Sequence, residues 1–314
     1  MTFAPSTLVL HISSVCNARC RNCRWRRMRT EGRLPSAFLP AQDVRELLLR
    51  CRPQTISLTG TGEPLLSPEF DAVVDAVEAH AGLYHTPEVM LVTNGALLGA
   101  APRSSVAKLL RLPGHLEVSL DAANSVTHAE LRPGTSFERV VEILRTVVRL
   151  PRHPRRRVGL ITNVSTKNSG GHTYGLVGIA QAIGLDFVMV TRTIQLDLAG
   201  VPVTEELASN DSGVRVQIDR ARDAFPEVEV IDFFTSTGTR ADVTQDHCQV
   251  PWTTLQVFED GHAHLCCRAY DVDLGDWRAL SFESNPVLLR LRQQLVARAV
   301  DPDEFASCSR CPLR

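Results

Sequence analysis

Alternating strand and helix patterns over the first two thirds of the chain predict an α/β fold built on a parallel sheet. Two separated cysteine groups predict one site on that sheet and a second on a C-terminal extension. Parallel neighbours need crossovers, which are usually helical and right-handed, so strand–helix alternation is the trace such a sheet leaves in a sequence. The 314 residues suffice for one large domain or a main domain with an appendage, and 44% apolar composition provides a sizeable core.

Residues 8–12 read as a first strand and 41–50 (AQDVRELLLR) as a helix. Residues 55–59 form a second strand ending in a Gly-rich turn, 71–79 a helix, 89–93 a third strand and 116–120 a fourth. Over 137–150, Val140, Val141, Ile143, Leu144, Val147 and Val148 recur at helical spacing. Residues 158–162 and 187–190 bring the count to about six strands, fewer than the eight of a closed barrel. The expectation is a partial (β/α)6 barrel over residues 1–191. Residues 192–247 are polar and irregular apart from a helix near 214–224 and a strand near 228–233, and read as a substrate-facing insertion or linker. Residues 248–314 read as a separate unit: strands 254–258 and 263–266 around a turn at 259–262, a helix over 286–297, and a closing Cys308-Ser309-Arg310-Cys311.

Composition excludes several partners. With 34 Lys+Arg against 35 Asp+Glu, no global field draws the chain to nucleic acid or an anionic membrane. No apolar run approaches the ~20 residues that span a bilayer, and the first residues lack a charged stretch and a small-residue cleavage site. A soluble, cytoplasmic protein is expected. In that reducing compartment nine cysteines point to metal or catalysis rather than disulfides.

Cys16, Cys20 and Cys23 form a CxxxCxxC loop directly after the first strand. Three thiolates on one tight loop hold three irons of a [4Fe–4S] cube and leave the fourth iron open. Zinc, with His11 or His85 as a fourth ligand, is the competing reading. Companion motifs follow in order: Thr61-Gly62-Glu63-Pro64 preceded by Gly60, then Thr93-Asn94-Gly95, then Ser119-Leu120-Asp121. Together they resemble the radical S-adenosylmethionine (SAM) superfamily over roughly residues 7–191, with Thr61 standing where the family's GGEP segment has its first glycine. The resemblance implies that the amino and carboxylate groups of SAM chelate the open iron. It also implies that Gly60, Thr61, Gly62, Glu63 and Pro64 offer backbone groups to the amino group, and that Ser119 and Asp121 lie near the ribose and methionine ends. Asn94 belongs to the same implied set, with Asn163 and Asn168 as weaker candidates; for Asp121 the alternative is a plain turn acid. Asn22 departs from the aromatic residue usual before the third cysteine, so adenine packing must come from elsewhere. Arg19, Arg21, Arg24, Arg26, Arg27, Arg29 and Arg33 make the loop basic: a solvated face, or a docking surface for flavodoxin or another one-electron reductase. One aromatic, Trp25, and no nucleic-acid motif argue against nucleic acid.

Cys248, Gly261 thirteen residues later, and Cys266 resemble the opening of SPASM and twitch extensions. With Cys308 and Cys311 they imply a twitch-like extension holding a second [4Fe–4S] cluster; a four-cysteine zinc ribbon is the alternative. Two thiols are then surplus. Cys51 reads as helix packing. Because neighbours on a strand face opposite ways, either Cys267 is free while Cys248 ligates or the reverse, leaving one of them as a hydrogen-donor thiol. The 5′-deoxyadenosyl radical that such enzymes generate takes a hydrogen atom from an unactivated C–H bond. A thiol returning hydrogen to the opposite face makes an epimerase, whereas electron transfer to the auxiliary cluster makes a dehydrogenase. The chain resembles the radical SAM enzymes of aminoglycoside biosynthesis, neomycin C epimerase somewhat more than the butirosin-pathway dehydrogenase. Glu205, Glu206, Asp211 and Asp232 are candidates to hold a polycationic aminoglycoside or related sugar. A peptide-modifying SPASM maturase and a non-enzymatic iron–sulfur or zinc scaffold are the remaining alternatives.

Overall fold

Leu8 and Leu10 are fully buried while Thr7 and Val9 between them are half-buried, the period of two that makes β1 (Thr7–His11) a strand with one face against helices. A computed structural model describes residues 4–99, 103–192, 211–234, 247–266, 269–309 and 311. After β1 come α1 (Arg24–Thr30), α2 (Ala41–Cys51), β2 (Thr55–Thr59), α3 (Phe70–Leu83), β3 (Glu88–Thr93), α4 (Arg103–Leu110) and β4 (Gly114–Ser119). Then follow α5 (Ser125–Leu131), α6 (Phe137–Val147), β5 (Arg156–Val164), α7 (His172–Ile183), β6 (Phe187–Arg192), α8 (Ser212–Ala224) and β7 (Glu229–Asp232). The last part holds α9 (Val250–Thr253), β8 (Thr254–Val257), β9 (His262–Cys266), β10 (Ala269–Asp276), α10 (Pro286–Val296) and α11 (Ala306–Ser309).

Among the described residues these strands make one sheet in the order β10-β9-β8-β1-β2-β3-β4-β5-β6-β7. Strands β1 to β7 run parallel, with Val9 opposite Ser57, Ser57 opposite Met90, Met90 opposite His115 and His115 opposite Arg157. The α/β fold with a partial parallel barrel is as the alternation predicts. The six expected strands are β1 to β6, and residues 211–234 add a seventh unit. Val214, Ile218 and Ala221 of α8 are buried, and β7 pairs parallel with β6. This part of the presumed insertion therefore continues the sheet. The helix and strand are the ones the pattern predicts near 214–224 and 228–233; what a four-residue strand with one buried side chain, Val230, does not show is that it pairs with the barrel sheet. Helix α6 shows how local sequence builds the outer layer: Ser136 accepts from the Arg139 N–H as N-cap, and Val140, Val141, Ile143, Leu144 and Val147 bury one face.

The C-terminal strands join at the other edge. β8 pairs parallel with β1, and β9 and β10 run antiparallel beyond it, so the predicted hairpin is a continuation of the barrel sheet. All loops after β1, β2, β3, β4, β5 and β8 then leave from the same end of the sheet, the end where parallel sheets place their ligands. No helix among the described residues is long and apolar enough to cross a membrane.

Candidate functional site

The cysteine loop leaves β1 at that end. Cys16 accepts from the Ala18 N–H and Cys23 from the Arg26 N–H, each at 3.4 Å, and Cys23 is the N-cap of α1. Burial pushes the Cys16 thiol up and the Cys20 thiol up to about 11, while Arg132 draws the Cys20 thiol back down. Arg132 is buried; burial works against its charge, yet Asp121, Cys20 and Cys23 hold its pKa above the ordinary value. It is a buried cation within the field of two of these thiols, and sequence reading missed it. The loop is clamped from the same segment, since Arg19 N–H donates to Pro133 O at 2.7 Å and Arg21 N–H to Leu131 O at 2.8 Å. Gly134, at φ +98°, lies so close that a Cβ would stand 2.5 Å from Asn17 O.

The segment after β2 lies directly on the entry to this loop. Gly62 N–H donates to Ser13 O at 2.7 Å and Glu63 N–H to Val15 O at 2.8 Å. A Cβ on Gly60 would stand 2.6 Å from Ser13 O, and one on Gly62 would stand 2.1 Å from Val15 O, which is why glycine occupies both positions. Pro64 opens a short turn of 3-10 helix. Glu63 is buried and accepts from Thr93 Oγ1 (2.6 Å), Asn94 N–H (2.8 Å) and Leu65 N–H (3.3 Å); burial raises its carboxyl and these bonds oppose the rise. Asn94 Nδ2 in turn donates to Asn17 Oδ1 at 2.8 Å, tying the end of β3 to the cysteine loop.

Asp121 accepts from Arg132 Nε at 2.5 Å and from the Asn163 N–H at 2.8 Å, so both carboxylate oxygens hold protein groups. Asn168 is a loop staple: Nδ2 donates to Asp121 O and Asn163 O, and Oδ1 accepts from Ser165. The Asn163 side chain accepts from Thr191 Oγ1, and Ser119 sits half-buried at the end of β4. Cys16, Cys20, Cys23, residues 60–64, Asn94, Ser119, Asp121 and Asn163 are thus gathered at one end of the sheet. His85 precedes β3 at the opposite end and bonds Pro53 O, while His11 is buried, stacked on Phe258 at 3.8 Å and within 3.2 Å of Gln256 Oε1. Burial lowers its pKa to about 3. Cys51 lies in the core, and burial pushes its thiol up to about 11.

Of the basic loop, Arg19, Arg21, Arg26, Arg27 and Arg33 are exposed. Arg29 instead turns inward, where its Nη1 donates to Ser14 O and to Thr61 O. Trp25 packs edge-on against Tyr270 at 5.2 Å and Phe258 at 6.0 Å, so α1 also touches the C-terminal strands.

The second cysteine group comes from distant parts of the chain: Cys248 before α9, Cys266 at the end of β9, and Cys308 and Cys311 at the last helix. Burial pushes the Cys308 thiol up to about 12, and the neighbouring Cys266, Cys311 and Cys248 add to it. Three thiols within the field of a fourth are a donor set that could hold a cationic metal centre. No group of three His, Cys, Asp or Glu among the described residues converges on a single metal ion. A cubane asks for more widely spread thiolates than one zinc, whose sulfurs sit about 2.3 Å from the metal. Cys267, Glu205 and Glu206 lie outside the described residues. Asp211 caps α8 by accepting from the Val214 N–H, and Asp232 accepts from the Phe234 N–H.

Comparison with known proteins agrees with this geometry. Residues 10–165 match the Radical SAM superfamily. An AdoMet-dependent heme synthase of Methanosarcina barkeri (strain Fusaro / DSM 804) is 30% identical over 154 residues, 46% of this chain and 40% of that protein, so the chain spans less than half of that relative. A GTP 3′,8-cyclase of Vibrio atlanticus (strain LGP32) is 22% identical over 308 residues, 93% of this chain and 88% of that protein. Streptococcus suis SuiB bound to S-adenosylmethionine has the same fold, with a TM-score of 0.72 and 16% identity over 92% of this chain and 68% of that one.

Proposed function

We propose, from the premise that residues 10–165 are a radical SAM superfamily domain and the chain an enzyme of that chemistry, that it inverts a C–H centre of an aminoglycoside or related sugar. The N-terminal donor set fits its cofactors. Cys16, Cys20 and Cys23 would hold a [4Fe–4S] cluster, with residues 60–64 beside it for SAM. Bound there, cluster and SAM together supply the radical that removes a hydrogen atom from the substrate.

The chain's own residues do the rest. Arg132 offsets the negative charge of the cluster thiolates, and Glu63, Asn94 and Asn17 lock the two loops in register. The observation that carries the epimerase reading is that Cys308, on the last helix, lies within the field of Cys266, Cys311 and Cys248. It supports all four as ligands of a second cluster and leaves Cys267 as the hydrogen-donor thiol. Giving up its hydrogen leaves that sulfur one electron and one proton short; a flavodoxin-like reductase and solvent restore them.

The test is turnover of reconstituted protein with an aminoglycoside panel in deuterium oxide. One deuterium at an inverted carbon, with unchanged oxidation state, is the expected product. In Cys267→Ala, 5′-deoxyadenosine still forms and inversion stops. A carbonyl product would assign the dehydrogenase reaction instead, and full epimerisation by Cys267→Ala would remove the thiol from the account.

A further inference from the structure

Thr61 occupies the position where the family's segment has glycine, and its side chain has a specific partner. Thr61 is 2% exposed and its Oγ1 donates to Glu259 Oε1 at 2.7 Å, across 198 residues of chain. Glu259 follows β8 in the turn to β9, the strand that ends in Cys266, and is itself 5% exposed. The next side chain back, Phe258, is stacked on His11 at the end of β1. On the other side of Thr61, Arg29 Nη1 donates to its carbonyl. Gly60 and Gly62 press the flanking backbone onto residues 13–15. The segment is therefore held by residues 13–15 that follow β1, by Arg29 of α1 and by the C-terminal hairpin.

We infer that Glu259 is a positioning residue for SAM: through Thr61 it fixes the backbone of residues 60–64, and so makes the C-terminal extension part of the SAM site. This rests on the reading of residues 60–64 as the SAM segment. A hydrogen bond between two buried groups, one of them a carboxyl, is strong enough for its loss to weaken a dependent site roughly tenfold. Burial holds the Glu259 carboxyl up at about 7, so glutamine is a close stand-in for its protonated form.

The experiment is equilibrium binding of SAM to the reconstituted holoprotein, with the thermal unfolding of each variant measured alongside. Thr61→Val, which keeps the shape and removes the hydroxyl, and Glu259→Ala each raise the Kd for SAM about tenfold. Glu259→Gln and Thr61→Ser recover the affinity to within about threefold. The double variant Thr61→Val/Glu259→Ala is no weaker than either single one, since both remove the same bond. Wild-type affinity in Thr61→Val, or additive losses in the double variant, would overturn the inference while leaving the SAM reading intact. Absence of SAM binding by the wild-type holoprotein would overturn both.

Discussion

The two cysteine sites are built in opposite ways. The N-terminal one is local in sequence: its three thiols lie within eight residues, on a loop fixed by backbone bonds to residues 131–134 and to the segment after β2. It also has a buried cation in its field, Arg132, which is paired with Asp121. The C-terminal set spans 64 positions from Cys248 to Cys311 and draws its thiols from a helix entry, a strand end and the last helix, where burial and the neighbouring thiols raise the pKa of Cys308. A preformed loop around a cation suits a site that must leave one position open for a ligand. A set drawn from three separate parts of the chain suits a centre that also ties the chain together.

The largest contrast is expected from removing thiols. Cys16→Ala, Cys20→Ala or Cys23→Ala reduces SAM cleavage to background and lowers iron from about eight to about four per chain. Cys308→Ala loses the same amount of iron but still cleaves SAM. Iron assay with quantification of 5′-deoxyadenosine separates the two, and equal loss of cleavage would erase the distinction between the sites.

Arg132 comes next. Arg132→Met leaves the Asp121 carboxylate buried without its partner, and a loss of roughly 3–5 kcal/mol in urea unfolding is expected. Asp121→Asn retains an acceptor for the Asn163 N–H and falls short of that. A Met variant as stable as wild type would show that the cation is dispensable to the loop.

A smaller effect is set by pH at the seam between the sites. The Glu259 carboxyl is raised by burial to about 7 from an unfolded value near 4.5, with Asp260 adding to the rise and Arg29 and the Thr61 bond opposing it. For a raised acid the stabilising contribution is complete below about pH 4.5 and is lost as pH rises through about 7. Unfolding titrations should therefore show Glu259→Gln gaining about 1–3 kcal/mol on wild type between pH 5 and pH 8. A pH-independent difference would contradict the buried placement.

The smallest belongs to the exposed arginines. Arg27→Glu and Arg33→Glu should slow reduction by an acidic flavodoxin about threefold at low salt and leave it unchanged at high salt. Stopped-flow reduction measures this, and a salt-independent rate would point to a solvated face without a docking role.

Much of this was legible in the sequence because its signals are local. Strand alternation, the CxxxCxxC loop and the Thr61–Pro64 segment each sit within one short stretch, and each occurs on the element the pattern predicts. What escaped depends on contacts between distant residues. Arg132 looks like one arginine among many until Asp121 and Cys20 surround it. Arg29 was counted with the surface charges, yet it bonds two carbonyls of the site. Glu259 read as a turn residue, and only the pairing of β8 with β1 brings it to Thr61. The strand near 228–233 is legible, but its place is not: only the pairing with β6 makes it a seventh strand of the barrel sheet.

The most direct test is pulsed EPR of the reduced Cys308→Ala holoprotein, in which only the N-terminal cluster remains, with SAM labelled at its amino nitrogen and carboxylate. Hyperfine coupling from both labels to the cluster is the predicted result, since on the proposed reading Cys16, Cys20 and Cys23 would bind three irons and leave the fourth to the amino acid end of SAM. A spectrum unchanged by SAM, with no coupling from either label, would contradict the account.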